Sequence, residues 1–286
     1  MKCYLCPRRC GADRSDGQRG ACGVGDVMRV SRIAPHYWEE PCISGSKGSG
    51  TVFFCGCPLG CVFCQNRAIS RSTTSLGREY TPDELAKQMG SLAQGVHNIN
   101  LVTPTHFVPQ IAQAIDLAGL DIPVVYNSSG YELPETIELM RGRASIFLPD
   151  YKYHSSELAA RYSAAADYPQ VALAAIERMV DIAGTPRFDS EGIMQAGVIV
   201  RHLVLPGCAD DSMRALRDLR DRFGDSVMVS IMSQYTPMPN VPQELSRAVT
   251  ADEYELVLDY ADHLGLTNGY RQEGEAVGES FIPDFE

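Results

Sequence analysis

Along this chain the spacing of apolar positions switches repeatedly between strand and helix periods. Residues 51–55 (Thr-Val-Phe-Phe-Cys) are β-branched and aromatic, which predicts a strand. Thr81-Pro82-Asp83-Glu84 predicts a helix start, with Thr81 as N-cap, Pro82 in the first turn and Glu84 closing a capping box. Leu85, Met89, Leu92 and Val96 then continue at helical spacing. Further strands are predicted at 98–102, 123–126, 144–148, 197–205 and 226–230. Helices are predicted at about 107–118, 134–140, 156–182 and 211–223. Thr250-Ala251-Asp252-Glu253 is a second capping box, opening a helix that runs to about residue 264. Six strands, each followed by a helix, imply βαβ crossovers and a parallel sheet, an α/β architecture. Alternation alone leaves an open doubly wound sheet and a barrel both standing.

The first fifty residues follow neither period. They are rich in glycine and cysteine and predict an irregular N-terminal cap over 1–50, followed by an α/β unit over 51–286. The stretch Ile43-Ser44-Gly45-Ser46-Lys47-Gly48-Ser49-Gly50 lacks the preceding strand and the spacing of a phosphate loop, so it reads as a turn or connection. Of the 286 residues 44% are hydrophobic and 21% charged, a globular composition that excludes a disordered or fibrous protein. The formal net charge of −11 argues against non-specific binding to nucleic acid or to an anionic membrane. No apolar run approaches the roughly 18 residues that span a bilayer. The N-terminal Met1-Lys2-Cys3-Tyr4-Leu5-Cys6-Pro7 lacks the apolar region of a signal peptide, so a cytoplasmic location is expected.

Cysteine placement changes the picture most. Nine of the ten cysteines fall within the first 64 residues, and only Cys208 lies beyond. In a reducing compartment such crowding points to metal binding or chemistry rather than disulfides. Cys57, Cys61 and Cys64 form a C-x₃-C-x₂-C triplet, close enough for three thiolates to converge from one loop. A closed iron–sulfur or zinc site takes four ligands, so three leave a coordination position open. A chance triplet, or three members of a zinc site completed from afar, are the alternatives. A second group, Cys3, Cys6, Cys10 and Cys22, sits among Gly11, Gly17, Gly20 and Gly23 and has the four donors of a closed site. Zinc, an auxiliary [4Fe-4S] cluster and unliganded thiols all remain open there. Cys42, Cys55 and Cys208 read as small apolar residues.

At the triplet, with Phe63 just before its last cysteine, the sequence resembles the radical S-adenosylmethionine (SAM) superfamily. The resemblance implies a partial (β/α)₆ barrel with a Cys-rich N-terminal cap, and a [4Fe-4S] cluster held by Cys57, Cys61 and Cys64. It implies that SAM chelates the remaining iron and is cleaved reductively to a 5′-deoxyadenosyl radical that abstracts hydrogen. The likeness narrows to an uncharacterised branch of pyruvate formate-lyase-activating-enzyme homologues. It rests on Cys3-Tyr4-Leu5-Cys6-Pro7-Arg8-Arg9-Cys10-Gly11, Trp38-Glu39-Glu40-Pro41-Cys42-Ile43-Ser44-Gly45, Asn98-Ile99-Asn100-Leu101-Val102-Thr103-Pro104-Thr105-His106 and Phe281-Ile282-Pro283-Asp284-Phe285. That branch implies an activating enzyme whose target is a glycine of a glycyl-radical enzyme, with a flavodoxin- or ferredoxin-like reductant. A radical SAM enzyme acting on a small metabolite or another peptide is the alternative, and a non-catalytic iron–sulfur electron-transfer protein is a third reading.

In such barrels the chemistry gathers at the C-terminal ends of the strands. Thr103-Pro104-Thr105-His106 stands where the wider family often carries Gly-Gly-Glu, and Thr103 and Thr105 offer hydroxyls and carbonyls to the SAM amino group. Asn127-Ser128-Ser129-Gly130-Tyr131 is similar to the Thr-Asn-Gly-Phe segment of activating enzymes and puts Asn127 and Ser129 at a ligand; a plain turn is the other reading. Pro149-Asp150-Tyr151-Lys152 resembles their Asp-Leu-Lys segment. Lys152 would balance the SAM carboxylate, and Asp150 would orient Lys152 or bind a cation; an exposed ion pair is the plainer alternative. Val200-Arg201-His202-Leu203-Val204-Leu205-Pro206-Gly207 is close to an Arg-x-x-x-Val-Pro-Gly strand. Arg201 and His202 point to opposite faces, and His202 is expected to face the lumen and contact SAM.

Overall fold

The computed structural model describes residues 2–71, 76–272 and 285. Irregular turns bearing the first cysteines lead into β1 (Met28–His36), the short helix α1 (Pro41–Ser44) and β2 (Ser49–Phe54). Next come α2 (Arg67–Ser70), β3 (Arg78–Tyr80), α3 (Pro82–Leu92), β4 (Ile99–Val102), α4 (Val108–Ala118) and β5 (Val124–Ser128). α5 (Pro134–Ile137), β6 (Ile146–Pro149), α6 (Ser156–Ser163), α7 (Tyr168–Ala183), β7 (Arg187–Phe188) and β8 (Met194–Leu203) follow. The described chain ends with α8 (Ala209–Phe223), β9 (Met228–Met232), α9 (Ala251–His263) and β10 (Gly269–Arg271). Of the C-terminal Phe281–Phe285 motif, residues 281–284 lie outside the described residues, while the Phe285 ring packs edge-on against Phe53 at 5.3 Å.

Sheet order follows chain order. Among the described residues the strands run β10-β9-β8-β6-β5-β4-β2-β1-β3, with β7 paired beside β8. Every pairing from β2 to β10 along this path is parallel. β1 is antiparallel to both β2 and β3. The six strands expected from sequence are β2, β4, β5, β6, β8 and β9. Each lies beside its predecessor, without the reversal of direction that defines a doubly wound sheet. The path ends at β3 and β10 with no pairing between them among the described residues, so the barrel that those residues form is partial. β2, β4, β5 and β6 are buried along their whole length, as parallel strands covered on both faces must be.

Both predicted capping boxes form, at Thr81/Glu84 on α3 and at Thr250/Glu253 on α9. Two regions depart from expectation. Residues 28–36 are not irregular: Met28 and Val30 bury their side chains and the segment pairs with β2. The helical run expected over 156–182 is two helices. Ala164 is left-handed at φ 49°, and Pro169 has no N–H to donate to the carbonyl of residue 165, so a new helix must start. The alanines between them favour helix and conceal that stop in the sequence.

The lumen is stacked in layers. At its base Cys42 and Ile43 of α1 pack with Val125, Ile146, Leu148, Ile199 and Met228. Two residues further along the same strands the inward side chains turn polar, at Asn127, Asp150, Arg201 and Ser230. Alternation along a strand, together with the in-register pairing of Asp150 with Arg201 and of Arg201 with Ser230, produces this second layer. No helix of the described residues is long and apolar enough to cross a membrane.

Candidate functional site

β2 hands the chain to Gly56, where φ is 86° and a Cβ would meet the Cys22 carbonyl at 2.7 Å and Val24 at 2.8 Å. Only glycine turns the loop this close to the N-terminal segment. His106 Nε2 holds the same corner by donating to the Cys55 carbonyl at 2.7 Å; burial pushes that histidine down to about 4, so it is neutral. The loop then carries Cys57, Cys61 and Cys64 over a cavity of about 530 Å³ that all three line. Burial pushes the Cys57 thiol up to about 12, and the neighbouring Cys64 and Cys61 add to the effect. Burial raises Cys61 as well.

Thiols in this setting ionise when a metal supplies the positive charge. Among the described residues no three His, Cys, Asp or Glu side chains are set to hold a single metal ion. A cluster makes no such demand, because each of its cysteines binds a different iron. Three sulfur donors on one cavity therefore fit a [4Fe-4S] group with one iron left to another ligand.

Lys152 is largely buried beside these sulfurs. Burial opposes its charge, but Asp150 Oδ2 at 2.6 Å, with Cys61 and Cys64 nearby, holds it protonated well above the usual lysine range. Thr103 lines the cavity with φ at 58°, rare for a β-branched residue and of a kind that gathers at functional sites. Asn127 and Ser129 line the same cavity. Thr105 does not: it is fully buried behind the strand end and its Oγ1 donates to Glu132 Oε1 at 2.6 Å.

The expectation for His202 is corrected in the same way. His202 faces outward, buried, and its Nδ1 donates to the Tyr151 carbonyl at 2.7 Å. Adjacent strand residues cannot share a face, and it is Arg201 that enters the lumen. There Arg201 donates to Glu40 at 2.9 and 2.6 Å and to Glu39, forming the cavity floor. Burial opposes ionisation of Glu40, but the Arg201 charge outweighs it and holds that carboxyl below its usual range. Glu39 Oε1 also accepts from Asn100 Nδ2 at 2.7 Å and Asn127 Nδ2 at 3.4 Å. Glu39, Glu40 and Arg201 are functional candidates that sequence reasoning missed. The adjacent acids before Pro41 were the available signal for two of them.

The second cysteine group also comes together. Cys6 and Cys22 are buried, Cys3 is half-buried and Cys10 exposed. Burial raises Cys6 to about 12, and Cys22 and Cys3 add to it. A Cβ at Gly20 would touch the sulfurs of both Cys22 and Cys10, at 3.3 and 3.4 Å. Arg8, between Cys6 and Cys10, ties this segment to the first site. Its guanidinium donates to the carbonyls of Pro58 and Leu59 at 2.8 and 3.0 Å, and to those of Ser163 and Ala164 at 2.9 and 2.5 Å.

Residues 51–244 match the family model described as Radical SAM superfamily. A protein of Methanocaldococcus jannaschii described as uncharacterized is 29% identical over 273 residues, covering 92% of this chain and 75% of its own length. Among solved structures, methylornithine synthase (PylB) gives a TM-score of 0.46 at 16% identity, over 77% of this chain and 72% of its own. SuiB of Streptococcus suis, bound to S-adenosylmethionine, gives 0.46 at 11% identity, over 76% of this chain and 48% of its own.

Proposed function

The chain belongs to the radical SAM superfamily, and on that premise we propose that it cleaves SAM reductively to take a hydrogen atom from a glycine of a glycyl-radical enzyme. The observation that carries the reading is the opening of Cys57, Cys61 and Cys64 onto the same cavity as the Asp150–Lys152 pair. When bound, the cluster and SAM supply the electron and the 5′-deoxyadenosyl radical, chemistry that belongs to the cofactors. The protein's part is to bind, orient and exclude water. Cys57, Cys61 and Cys64 hold the cluster. Lys152, kept protonated and aimed by Asp150, faces the SAM carboxylate. The carbonyl and hydroxyl of Thr103, with Asn127 and Ser129, line the remainder of the nucleotide site. The Arg201–Glu39–Glu40 floor limits how deep a ligand penetrates.

The choice of a glycine target rests on the likeness of the Asp150–Lys152 and Arg201–Gly207 segments to activating enzymes. A partner's glycine loop would enter through the open seam of the barrel and displace water as it did so. The electron comes from a flavodoxin- or ferredoxin-like donor. The gathering of Cys3, Cys6, Cys10 and Cys22 supports a second metal group there, zinc or an auxiliary cluster; a cluster needs no sulfurs set around one ion, whereas zinc would have to draw them together.

Anaerobically reconstituted protein with dithionite and SAM is expected to form 5′-deoxyadenosine. The triple change Cys57→Ala, Cys61→Ala, Cys64→Ala should abolish both the cluster absorbance and SAM cleavage; cleavage that survives it overturns the assignment. With a glycine-deuterated partner protein, deuterium should appear in the 5′-deoxyadenosine. Transfer only from a small metabolite or another peptide would reject the glycine target. Metal content decides the second site: about four irons with zinc mean one cluster and a structural zinc, and about eight irons mean two clusters.

A further inference from the structure

Two of the triplet sulfurs accept hydrogen bonds from hydroxyls that lie outside the cysteine motif. Ser163 Oγ donates to Cys61 Sγ at 3.1 Å, and Ser70 Oγ donates to Cys64 Sγ at 3.3 Å. Ser163 is 1% exposed and comes 102 residues after Cys61, from the last position of α6. A hydroxyl carries a single proton. With that of Ser163 spent on sulfur, the 2.8 Å contact between Ser163 Oγ and Tyr153 OH takes its proton from the tyrosine. The result is a directed chain from Tyr153 to Ser163 to Cys61.

Its members are held from both sides. Tyr153 is fully buried, with its ring edge-on to Phe63 between Cys61 and Cys64 and to Tyr168. Arg8 grips the Ser163 carbonyl and the Pro58–Leu59 carbonyls of the cysteine loop with one guanidinium. Neither hydroxyl can turn to water, and the serine-to-sulfur spacing is fixed by the same clamp.

We propose that Ser163, acting with Tyr153, and Ser70 are positioning residues that raise the reduction potential of the cluster carried by the triplet. An added electron increases the negative charge on the ligand sulfurs. A hydroxyl dipole aimed at a sulfur in a low-dielectric interior stabilises that more negative state and favours one-electron reduction by an external donor. Ser163 has the larger effect because Tyr153 polarises it. Ser70 acts on a different sulfur, so its effect adds to that of Ser163.

The proposal rests on the cluster assignment made above, and its test separates the two. The full chain is reconstituted anaerobically and its cluster titrated potentiometrically with dithionite and mediators, read by electron paramagnetic resonance. S163A and S70A should each lower the midpoint potential, Y153F should lower it by less, and S163A/S70A by the sum of the single shifts. S163T, which keeps the hydroxyl, should remain near wild type. In deuterium oxide, electron–nuclear double resonance should lose one exchangeable deuteron coupling in S163A. Midpoints that stay equal in wild type, S163A and Y153F, each with full iron content, overturn the proposal. If S163A fails to retain iron, unchanged midpoints in Y153F and S70A overturn it instead. A wild-type chain that assembles no cluster overturns the assignment beneath it, and this proposal with it.

Discussion

Glu132 is a fully buried carboxyl, and its environment makes it a proton carrier near neutrality. Burial pushes it up to about 7, while hydrogen bonds from the Thr105 and Ser128 hydroxyls pull the other way. An unfolded glutamate releases its proton near pH 4.5. Between those values the folded chain binds more protons than the unfolded one, so this residue's contribution to stability declines as pH rises through that window and is flat above it. The whole change amounts to roughly 3 kcal/mol. Glu132→Gln should remove it: thermal midpoints from pH 5 to pH 8 should converge towards, or cross in favour of, the variant as pH rises. A constant difference between the two proteins would show that the group does not titrate there. Glu132 was illegible in the sequence, because Tyr131-Glu132-Leu133-Pro134 reads as an acidic turn before a helix. Its partner Thr105 was legible as a strand-end hydroxyl but is turned away from the cavity. For Arg201 and His202 the opposition of faces could be read from spacing. Which face points inward could not, since helices cover one side of β8 and the lumen layers the other.

The loop after β5 shows how tightly neighbouring elements are coupled. Gly130 has φ at 75°, and a side chain there would drive into the Asp150 carbonyl oxygen, against which the loop lies. Tyr168 OH fastens the same corner, its single proton shared between the carbonyls of Ser129 and Asp150 at 2.8 and 2.9 Å. Gly130→Ala is expected to cost more than about 1 kcal/mol in a denaturant titration, by forcing a left-handed alanine and separating the two strand ends. It should also weaken SAM binding measured by calorimetry, because Asp150 and Lys152 move with the loop. Elements whose termini carry their own chemistry were legible: Thr81 and Thr250 announce α3 and α9, and the apolar runs announce the six inner strands. β3, β7 and β10 have three, two and three residues, too few to carry a period. β1 mixes Arg29, Ser31 and Arg32 among its apolar positions because only part of its surface faces the core.

For the molecule as a whole, Arg8 is the fastening between the cysteine-bearing N-terminus and the barrel. It acts beside the Cys57 N–H to Cys22 carbonyl bond and the Arg14 bond to the His106 carbonyl at 2.6 Å. Arg8→Ala should lower stability by about 2 kcal/mol, speed proteolytic cleavage within the first 25 residues, and reduce iron retained after desalting. Arg8→Lys should not restore these properties, since a compact ammonium cannot span four carbonyls. Full iron retention in both variants would mean that the clamp is dispensable. The floor of the cavity has a different consequence, one of timing. Glu40 and Arg201 are 161 residues apart. At ribosomal rates of roughly 5–20 residues per second, the nascent chain exposes its paired acids some 10–30 s before their arginine is made. The two acids therefore stay without their counter-charge while the first four parallel strands are made, and can be paired only when the fifth delivers Arg201.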